Sequence, residues 1–297
     1  MCYSHSMQTI ATHSGKFHAD DVFAVATLLL SLKPKSPVLV RTRDPEQLKT
    51  ADFVVDVGGI YDPKAYRFDH HQVGGAGKRQ SDIPYAAFGL VWKEFGTELS
   101  GSDEVALRVD EVLVAPIDAN DNGVNLSVPK HTIAPYDISD AVRSFIPTWQ
   151  EGDEGHDAAF DEAVALARRI IEREIKRAQA VVASREKVGE AYERAADKRL
   201  IILDEDHSWK DAISSFPEPL YVIHPQNGTW RIYAVRDNPH VFMNRKDLPA
   251  SWKGLRDAEF ALATGVADAL FCHRNLFMAV AGSKEGALKL ARAALAS

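Results

Sequence analysis

The strongest constraint on the fold is a group of polar residues that directly follow strand-like segments. Residues 67–72 read Arg-Phe-Asp-His-His-Gln, so one carboxylate and two imidazoles occupy consecutive positions. Adjacent histidines contribute little to a hydrophobic core and point instead to a site. Upstream, the apolar segment 53–55 is followed by Asp56 and then by Gly58 and Gly59, which break the strand. Asp56 is therefore predicted at the carboxyl end of a strand, where open α/β sheets bind their ligands.

The N-terminal region supplies further candidate ligands. The strand-like segment 8–12 leads to His13, and His18, Asp20 and Asp21 follow at the start of an apolar helix. Acidic residues suit the first turn of a helix, because they stabilise the positive end of its dipole. Asp20 is therefore either a helix cap or a metal ligand, and the two nearby histidines favour the metal.

A second acidic segment lies after Pro116, where the preceding helix is predicted to end because proline lacks a backbone donor. Residues 117–123 read Ile-Asp-Ala-Asn-Asp-Asn-Gly, a composition typical of a turn. Within this segment Asp118 is the preferred metal ligand and Asp121 is the alternative. A turn stabilised by an aspartate side chain would explain the same residues.

Together these residues predict a centre for two divalent metal ions. The predicted ligands are His13, His18, Asp20, Asp56, His70 and Asp118. A mixed set of imidazoles and carboxylates favours Mn²⁺, with Mg²⁺ as the alternative. The predicted bridge between the ions is Asp56. His13 and Asp20 are expected on one ion, and His70 and Asp118 on the other. His18 and Asp21 compete for these positions.

The chemistry expected of this centre is phosphoester hydrolysis. Two ions about 3.5–4 Å apart can hold both the attacking and the leaving oxygen of a phosphoester. The predicted catalytic residues are Asp56, His70 and His71. His71 is expected either to contact the phosphate or to lie behind the ligands, and Asp69 is expected to orient an imidazole.

Basic residues predicted to bind substrate lie in two parts of the chain. Arg41 and Arg43 follow a strand-like segment and, with His71, could contact phosphate, although charged loop residues are commonly paired at the surface. The second part of the chain contributes three further candidates: Arg231, Arg256 and His273. Aromatic residues nearby could stack bases, and ordinary strand packing explains them equally well: Trp230, Tyr233 and Phe277.

The pattern of apolar residues predicts an α/β fold with two domains. A parallel-sheet domain is expected over residues 1–156. From 157 to 198, apolar residues recur every three or four positions, which predicts a long connecting helix. Residues 199–297 then carry short strand-like segments and a final helical segment, which predicts a smaller mixed α/β domain.

Composition excludes several classes of protein. The 297 residues are 45% hydrophobic and 26% charged, as in a soluble globular protein, and no apolar segment approaches the ~20 residues of a membrane span. The net charge of −7 argues against a generally basic nucleic-acid coat. Cys2 and Cys272 are too few for a disulfide framework, and the first residues lack the pattern of a signal peptide. A cytoplasmic location is therefore expected, and a homodimer stays open.

Six ordered motifs, which span nearly the whole chain, resemble the MYG family, the proteins related to melanocyte proliferating gene one. They occupy residues 12–21, 41–45, 55–59, 67–72, 252–257 and 271–273. The Asp69-His70-His71 motif is similar to that of the DHH phosphoesterase superfamily, to which the MYG family belongs. One departure is the first motif, in which His13 and Asp20 are seven residues apart. The ligands of the first ion are therefore open among four residues: His13, His18, Asp20 and Asp21.

The resemblance implies a DHH-type domain with a parallel sheet and a C-terminal substrate domain. It also implies a metal-dependent 3′–5′ exonuclease that acts on RNA or short oligonucleotides. Two other functions stay open at this point. One is a phosphatase or phosphodiesterase for a small phosphorylated molecule, and the other is a regulatory protein that binds nucleotides without catalysis.

Overall fold

The computed structural model describes residues 8–33, 36–128, 131–152, 154–238 and 241–297. The chain divides into two compact units, Met1–Gln179 and Ala180–Ser297. The division falls within helix α7, His156–Arg194, in the segment that was predicted to connect two domains. Two five-stranded sheets with helices confirm the predicted mixed α/β fold.

The first unit contains a sheet that is parallel except at one edge. Its strands are β1 (Thr9–Thr12), β2 (Val38–Arg41), β3 (Phe53–Val55), β4 (Tyr61–Asp62) and β5 (Arg67–Phe68). Their order is β2-β1-β3-β5-β4. The pairs β1/β2, β1/β3 and β3/β5 are parallel, whereas β4 is antiparallel to β5. β4 therefore forms a short reversed edge, and Pro63 follows it directly.

Parallel pairing brings three strand ends together. In register, Val55 lies beside Thr12 on one side and beside Phe68 on the other. The next residues along these strands therefore leave the sheet at the same edge: His13, Asp56 and Asp69. The edge at which the sequence predicted ligands is thus built from three separate segments of the chain.

The helices of this unit that precede α7 are α1 (Ala19–Ser31), α2 (Pro45–Thr50), α3 (Ala87–Ser100), α4 (Asp103–Val109), α5 (Ala115–Asp121) and α6 (Ile138–Arg143). α1 and α3 contact the strands of the sheet, and α4, α5 and α6 pack on α1 or α3. α1 is buried on almost all sides, and its Phe23 ring lies 5.4 Å from the ring of Phe88 on α3. Because α1 begins immediately after His18, this packing fixes the N-terminal candidate ligands in the core of the unit.

The structure corrects the prediction that a helix ends at Pro116. A π-helical segment, Asp110–Val114, continues α4 directly into α5. Pro116 lies directly after the π-helical segment, as the second residue of α5, so the chain stays helical on both sides of the proline. Asp118 and Asp121 consequently lie one turn apart on a helix rather than in a loop.

The second unit contains a mostly antiparallel sheet. Its strands are β6 (Leu200–Ile202), β7 (Tyr221–Gln226), β8 (Thr229–Ala234), β9 (Ala269–Cys272) and β10 (Met278–Ala281). Their order is β6-β7-β8-β10-β9, and only β6/β7 is parallel. The helices of this unit are α8 (Trp209–Ser214), α9 (Asp257–Thr264) and α10 (Lys284–Ala296), in addition to the end of α7.

The second sheet separates two hydrophobic clusters, because side chains alternate along each strand. Ile232 and Leu290 belong to the cluster beneath α10. Val188 of α7, Trp209 of α8 and Val222 belong to the other cluster. Within the described ranges, no helix combines the length and the hydrophobicity of a membrane span.

Candidate metal centre

One half of the candidate centre surrounds His13, at the end of β1. The Nε2 atom of His13 lies 3.2 Å from Oδ2 of Asp21 and 3.4 Å from Oδ2 of Asp56. His18 Nε2 lies 3.5 Å from the same oxygen of Asp56. Three of these residues can each offer one ligand atom within a space suited to a single ion: His13, His18 and Asp21.

The other half surrounds His70, which follows β5. Its Nε2 atom lies 3.1 Å from Oδ2 of Asp121 and 3.5 Å from Oδ1 of Asp56. Nδ1 of His71 also lies 3.5 Å from Oδ1 of Asp56. Two further groups of potential ligands result: Asp56 with His70 and His71, and Asp20 with His70 and Asp121.

Asp56 therefore lies between the two halves and offers one carboxylate oxygen to each. The residue is buried, and its backbone is in the left-handed region with φ at 55°. Aspartate tolerates that region better than most residues, but the conformation is uncommon and concentrates at functional sites. The left-handed turn at the end of β3 is the local feature that gives Asp56 its position.

The polar atoms that face each other in this centre lack hydrogen-bond partners. Buried and unpartnered are His13 Nε2, His18 Nδ1, Asp21 Oδ2, His70 Nε2 and both carboxylate oxygens of Asp56. Their mutual approaches do not have the angles of hydrogen bonds. Buried polar atoms are nearly always satisfied in folded proteins. Imidazole nitrogens and carboxylate oxygens left in this state fit divalent metal ions.

Burial and mutual charge perturb these groups strongly. Burial raises the pKa of Asp21 to about 6, although His18 and His13 oppose the shift. Burial also favours the neutral form of His70, but the carboxylates of Asp121 and Asp56 outweigh it and raise its pKa to about 11. Asp56 is the opposite case, because His13 and His70 outweigh burial and lower its pKa. The protein thus concentrates carboxylates around Asp56 that a cation would neutralise.

Asp20 does not cap its own helix α1, whose N-cap is His18, but lies between the start of α3 and the candidate centre. Its two carboxylate oxygens accept hydrogen bonds from the backbone N–H groups of Ala87 and Phe88, at the start of α3, with lengths of 2.9 and 2.6 Å. Its Oδ2 atom also lies 3.9 Å from His70 Nε2. Burial and then the charge of Asp56 raise the pKa of Asp20 well above its usual value. Asp20 caps α3 and also borders the centre.

The structure brings Asp121, rather than Asp118, into contact with the histidines. Asp118 is fully buried and bonds to Arg79 at 2.7 Å and to the N–H of Gly89 at 3.0 Å. A side chain at Gly89 would overlap Asp118, since an added Cβ would lie 1.9 Å from its carboxylate oxygen. Arg79 also bonds to Asp110. The predicted ligand is thus part of a buried ion-pair network beside the centre.

Asp69 is bound to the backbone and the ring of the adjacent histidines. Its Oδ1 accepts hydrogen bonds from the N–H groups of His70 and His71 at 2.7 and 3.1 Å, and it lies 2.7 Å from His71 Nδ1. Its Oδ2 accepts from the N–H of Gly59. The His71 side chain is 59% exposed, which makes it the accessible imidazole of this pair. Asp69 thus fixes the His71 ring at the border of the centre.

The predicted substrate arginines of the first unit have different environments. Arg41 is almost fully buried, with its guanidinium bonded to Asp157 and 4.7 Å from the centre of the Phe160 ring. Arg43 lines a shallow cavity with Leu48 and Val57, among other residues. These tertiary contacts, which no local sequence signal indicates, hold the Arg41 guanidinium against α7. Its contact with phosphate stays a prediction.

The remaining candidates belong to the second unit. Arg256 lies over the Phe271 ring, with 4.5 Å between its Cζ atom and the ring centre. His273 accepts a hydrogen bond from the N–H of Asn275 through Nδ1, and its ring lies 4.4 Å from that of Phe277. Arg231 extends from β8 with its Nε atom buried and unpartnered. These three residues belong to one sheet and its connections.

Comparisons with known proteins relate this chain to a family along almost its whole length. Residues 9–295 match a family described as an uncharacterised protein family, UPF0160. The MYG1 exonuclease of Homo sapiens is 32% identical, over 97% of this chain and 85% of that protein. The MYG1 exonuclease of Mus musculus is 33% identical, over 97% and 84% of the two chains. A MYG1 protein of Schizosaccharomyces pombe is 30% identical over 98% of both.

Proposed function

The chain belongs to the UPF0160 family, the family of the MYG1 exonucleases, and from this membership we propose that it is a metal-dependent phosphodiesterase. We propose more specifically that it removes nucleotides from RNA or short oligonucleotides in the 3′–5′ direction, with two divalent ions at its active site. Relatives named exonucleases support a nuclease in general. The direction and the choice of RNA extend that general function.

The observation that carries the two-ion proposal is the position of Asp56. One of its oxygens faces His13 and His18, and the other faces His70 and His71. A carboxylate that offers one oxygen to each of two ligand groups is suited to bridge a pair of ions. Both oxygens are buried without hydrogen-bond partners, so the protein itself does not satisfy them.

The ligand assignment proposed here differs in part from the one based on sequence alone. We assign His13, Asp21 and Asp56 to one ion, with His18 beside them, and Asp56, His70 and Asp121 to the other. Asp121 replaces Asp118, whose oxygens are bonded to Arg79 and to the backbone. Bound Mn²⁺ or Mg²⁺ would supply an activated water and neutralise the charge that develops on the phosphate.

The protein's own contribution is to hold these groups rigidly and to leave the His71 imidazole accessible, with 59% of its side chain exposed. His71 is fixed through Nδ1 by Asp69, so its Nε2 is the atom that can contact a phosphate oxygen or move a proton. His13 and Asp21 are almost completely buried and cannot take that role. We therefore assign phosphate contact and a catalytic role to His71. Asp56 and His70 are the other two residues with a catalytic role, as ligands of the ions.

An assay with labelled nucleic acids tests this function. Purified protein is incubated with Mn²⁺ and with RNA or DNA of one sequence, labelled at the 5′ or the 3′ end, and with dinucleotides. If nucleotides leave from the 3′ end, 5′-labelled RNA yields a ladder of shortening products, and 3′-labelled RNA releases labelled mononucleotide at once. Chelation of the metal stops both reactions.

Other outcomes would redirect or reject the proposal. Release of inorganic phosphate from small phosphorylated molecules, without cleavage of any oligonucleotide, identifies a phosphatase. Fragments from internal cuts exclude an exonuclease. If no phosphoester is cleaved with either Mn²⁺ or Mg²⁺, the protein is not the hydrolase proposed here.

A further inference from the structure

The second unit contains an aromatic cavity that is separate from the candidate metal residues. It is open to solvent and leaves about 470 Å³ free of protein atoms, open solvent included, between α8, β8 and the segment before β10. The lining residues are Trp209, Lys210, Ile213, Tyr233, Ala234, Arg236 and Phe277. Three aromatic side chains and two cationic side chains thus share one small cavity, which we call the aromatic pocket.

The rings of the aromatic pocket support one another. The Tyr233 ring lies 5.8 Å from Trp209 and 6.3 Å from Phe277. His224, buried on the neighbouring strand β7, lies parallel to Tyr233 with an interplanar angle of 5° and 5.5 Å between ring centres. Because adjacent rings restrain it, Tyr233 is a preformed planar surface rather than a mobile side chain.

The cations of the aromatic pocket lie against these rings. Lys210 Nζ lies 5.5 Å from the centre of the Tyr233 ring. Arg236 Cζ lies 5.9 Å from Phe277 and 4.5 Å from Phe242. A guanidinium on an aromatic face keeps its N–H groups available at the ring edge, where they can bind phosphate. The pocket therefore combines flat apolar surfaces with positive charge.

Only part of the aromatic set predicted from sequence belongs to this pocket. Tyr233 and Phe277 line it, whereas Trp230 packs against the hydrophobic cluster on the opposite face of the sheet. Side chains alternate along a strand, so Trp230 and Tyr233, three residues apart on β8, face opposite ways. Sequence alone did not show which face of the strand borders a cavity.

We propose that the aromatic pocket binds one unpaired nucleobase of the nucleic acid, with the adjoining phosphate held by Lys210 and Arg236. This inference rests on the proposed nuclease function and specifies its substrate as single-stranded. A base in a duplex is stacked and paired, so it cannot enter a cavity between protein rings without leaving its neighbours. Stacking on aromatic side chains is tolerant of sequence, because every base has a planar face.

Binding to metal-free protein tests the pocket independently of catalysis. The probes are adenosine 5′-monophosphate, uridine 5′-monophosphate and ribose 5-phosphate, measured by calorimetry in the presence of chelator. We expect both nucleotides to bind more tightly than ribose 5-phosphate. Replacing Tyr233 or Phe277 by leucine removes the aromatic face and should weaken nucleotide binding by about tenfold. Lys210→Gln should weaken the binding of all three probes.

Matched controls come from a second aromatic and cationic group of the same unit. Tyr192 and Phe216 are stacked with 4.1 Å between ring centres, and Lys198 lies 4.6 Å from the Tyr192 ring, outside the pocket. Phe216→Leu and Lys198→Gln should leave binding unchanged. Circular dichroism and thermal unfolding of each variant separate a lost contact from a lost fold, and Phe277→Leu provides a second test if Tyr233→Leu is unstable.

The outcomes distinguish this inference from the proposed function. If the enzyme cleaves RNA but Tyr233→Leu and Phe277→Leu keep wild-type binding and kinetics, the pocket is not a base site and the nuclease function stands. If nucleotides bind and these variants lower the binding affinity, while no phosphoester is cleaved, the pocket is a base site and the protein is not a nuclease. Equal affinity for ribose 5-phosphate and nucleotides rejects base stacking. Equal cleavage rates for single-stranded and blunt duplex RNA reject the single-strand requirement.

Discussion

At the scale of single residues, Asp56 has the most constrained environment in the candidate centre. It is 2% exposed, adopts a left-handed backbone and has no hydrogen-bond partner on either oxygen. A buried carboxylate without hydrogen bonds is costly unless neighbouring charged groups or ions compensate for it. Its position is therefore best explained by a ligand that the protein is built to receive.

Asp56→Asn should remove both activity and metal-dependent stabilisation. Asparagine also tolerates the left-handed region, so the backbone is retained while the negative charge is lost. We expect turnover to fall on the order of 100-fold or more, because the bridge between the ions is weakened. In the wild type, added Mn²⁺ should raise the melting temperature, since ligands that bind only the folded state stabilise it.

Scanning calorimetry with and without chelator measures that shift, and circular dichroism checks the fold of the variant. Lys64→Gln, at an exposed turn that follows β4, provides a surface control. An Asp56→Asn variant that keeps more than about a tenth of wild-type turnover would be inconsistent with a bridging carboxylate.

His224 should make the stability of the second unit depend on pH. Burial lowers its pKa, although the nearby carboxylate of Asp206 opposes the shift. As the pH falls through about 6.5, the unfolded chain therefore takes up a proton before the folded protein does, and the free energy of unfolding decreases. This contribution is fully present above that pH and is lost in acid.

Denaturant unfolding at several pH values measures this effect. His224→Phe keeps a ring beside Tyr233 but cannot be protonated, so its free energy of unfolding should decrease less than that of the wild type as the pH falls. Equal pH dependence in the two proteins would mean that His224 does not contribute.

At the scale of secondary structure elements, the sequence predicted the strand ends better than the helix register. Asp56 could be placed because an apolar run precedes it and two glycines follow, and parallel pairing then aligned it with His13 and Asp69. The choice between Asp118 and Asp121 could not be made in this way. It depends on the π-helical segment that continues α4 into α5, and the sequence suggested a helix end at Pro116 instead.

Long-range partners were also beyond sequence reasoning. Arg41, predicted to contact phosphate, packs on Phe160, which is 119 positions further along the chain, and the sequence did not indicate this partner. Arg79, in the glycine-rich segment after the histidines, was not identified as functional. Its role depends on two aspartates that only the tertiary fold brings to it. A local pattern of residues does not contain information on contacts between residues so far apart in the chain.

Asp118 and Asp121, one turn apart on α5, should respond differently to the same substitution. Asp121→Asn should lower turnover strongly and change stability little, because Asp121 contacts His70 and His18 at the centre. Asp118→Asn should reduce the free energy of unfolding by roughly 2 kcal/mol, because it removes a charged partner of buried Arg79. Kinetics and denaturant unfolding of both variants measure the difference. If Asp118→Asn empties the centre of metal while Asp121→Asn does not, the ligand assignment must be reversed.

At the scale of the whole molecule, the two units carry different features. The clusters on both faces of the second sheet are formed by residues from 188 onwards. The first unit carries all the residues of the potential metal groups among those described. The second unit therefore has hydrophobic clusters of its own, which is the property expected of an independent domain.

A fragment of residues 180–297 should fold alone. It contains the end of α7, the complete second sheet and both hydrophobic clusters, so no core residue of this unit is missing. Circular dichroism and a cooperative thermal transition measure its folding. Added Mn²⁺ should not shift that transition, because the potential metal groups lie in the first unit. A fragment that remains unfolded would show that the first part of α7 is required.

Arg256 should act on the substrate rather than on the metal. Arg256→Ala is expected to raise KM or to lower kcat/KM about tenfold, the effect of losing a charged contact to phosphate. The metal content of the purified variant should equal that of the wild type. Arg199→Ala is the control, since Arg199 is an exposed residue of the same unit that pairs with Asp197. Unchanged kinetics in Arg256→Ala would mean that this arginine packs over Phe271 and does not contact the substrate.

The reversed strand β4 has a consequence for the behaviour of the protein at high concentration. The border of a sheet exposes backbone groups on which strands of other molecules can assemble. Here that border is only two residues long, Tyr61–Asp62, and it ends at a proline, which cannot donate a backbone hydrogen bond. A short, charged and interrupted border of this kind discourages the growth of intermolecular fibrils. Replacing Pro63 would remove part of that protection against aggregation while leaving unchanged the edge that carries His13, Asp56 and Asp69.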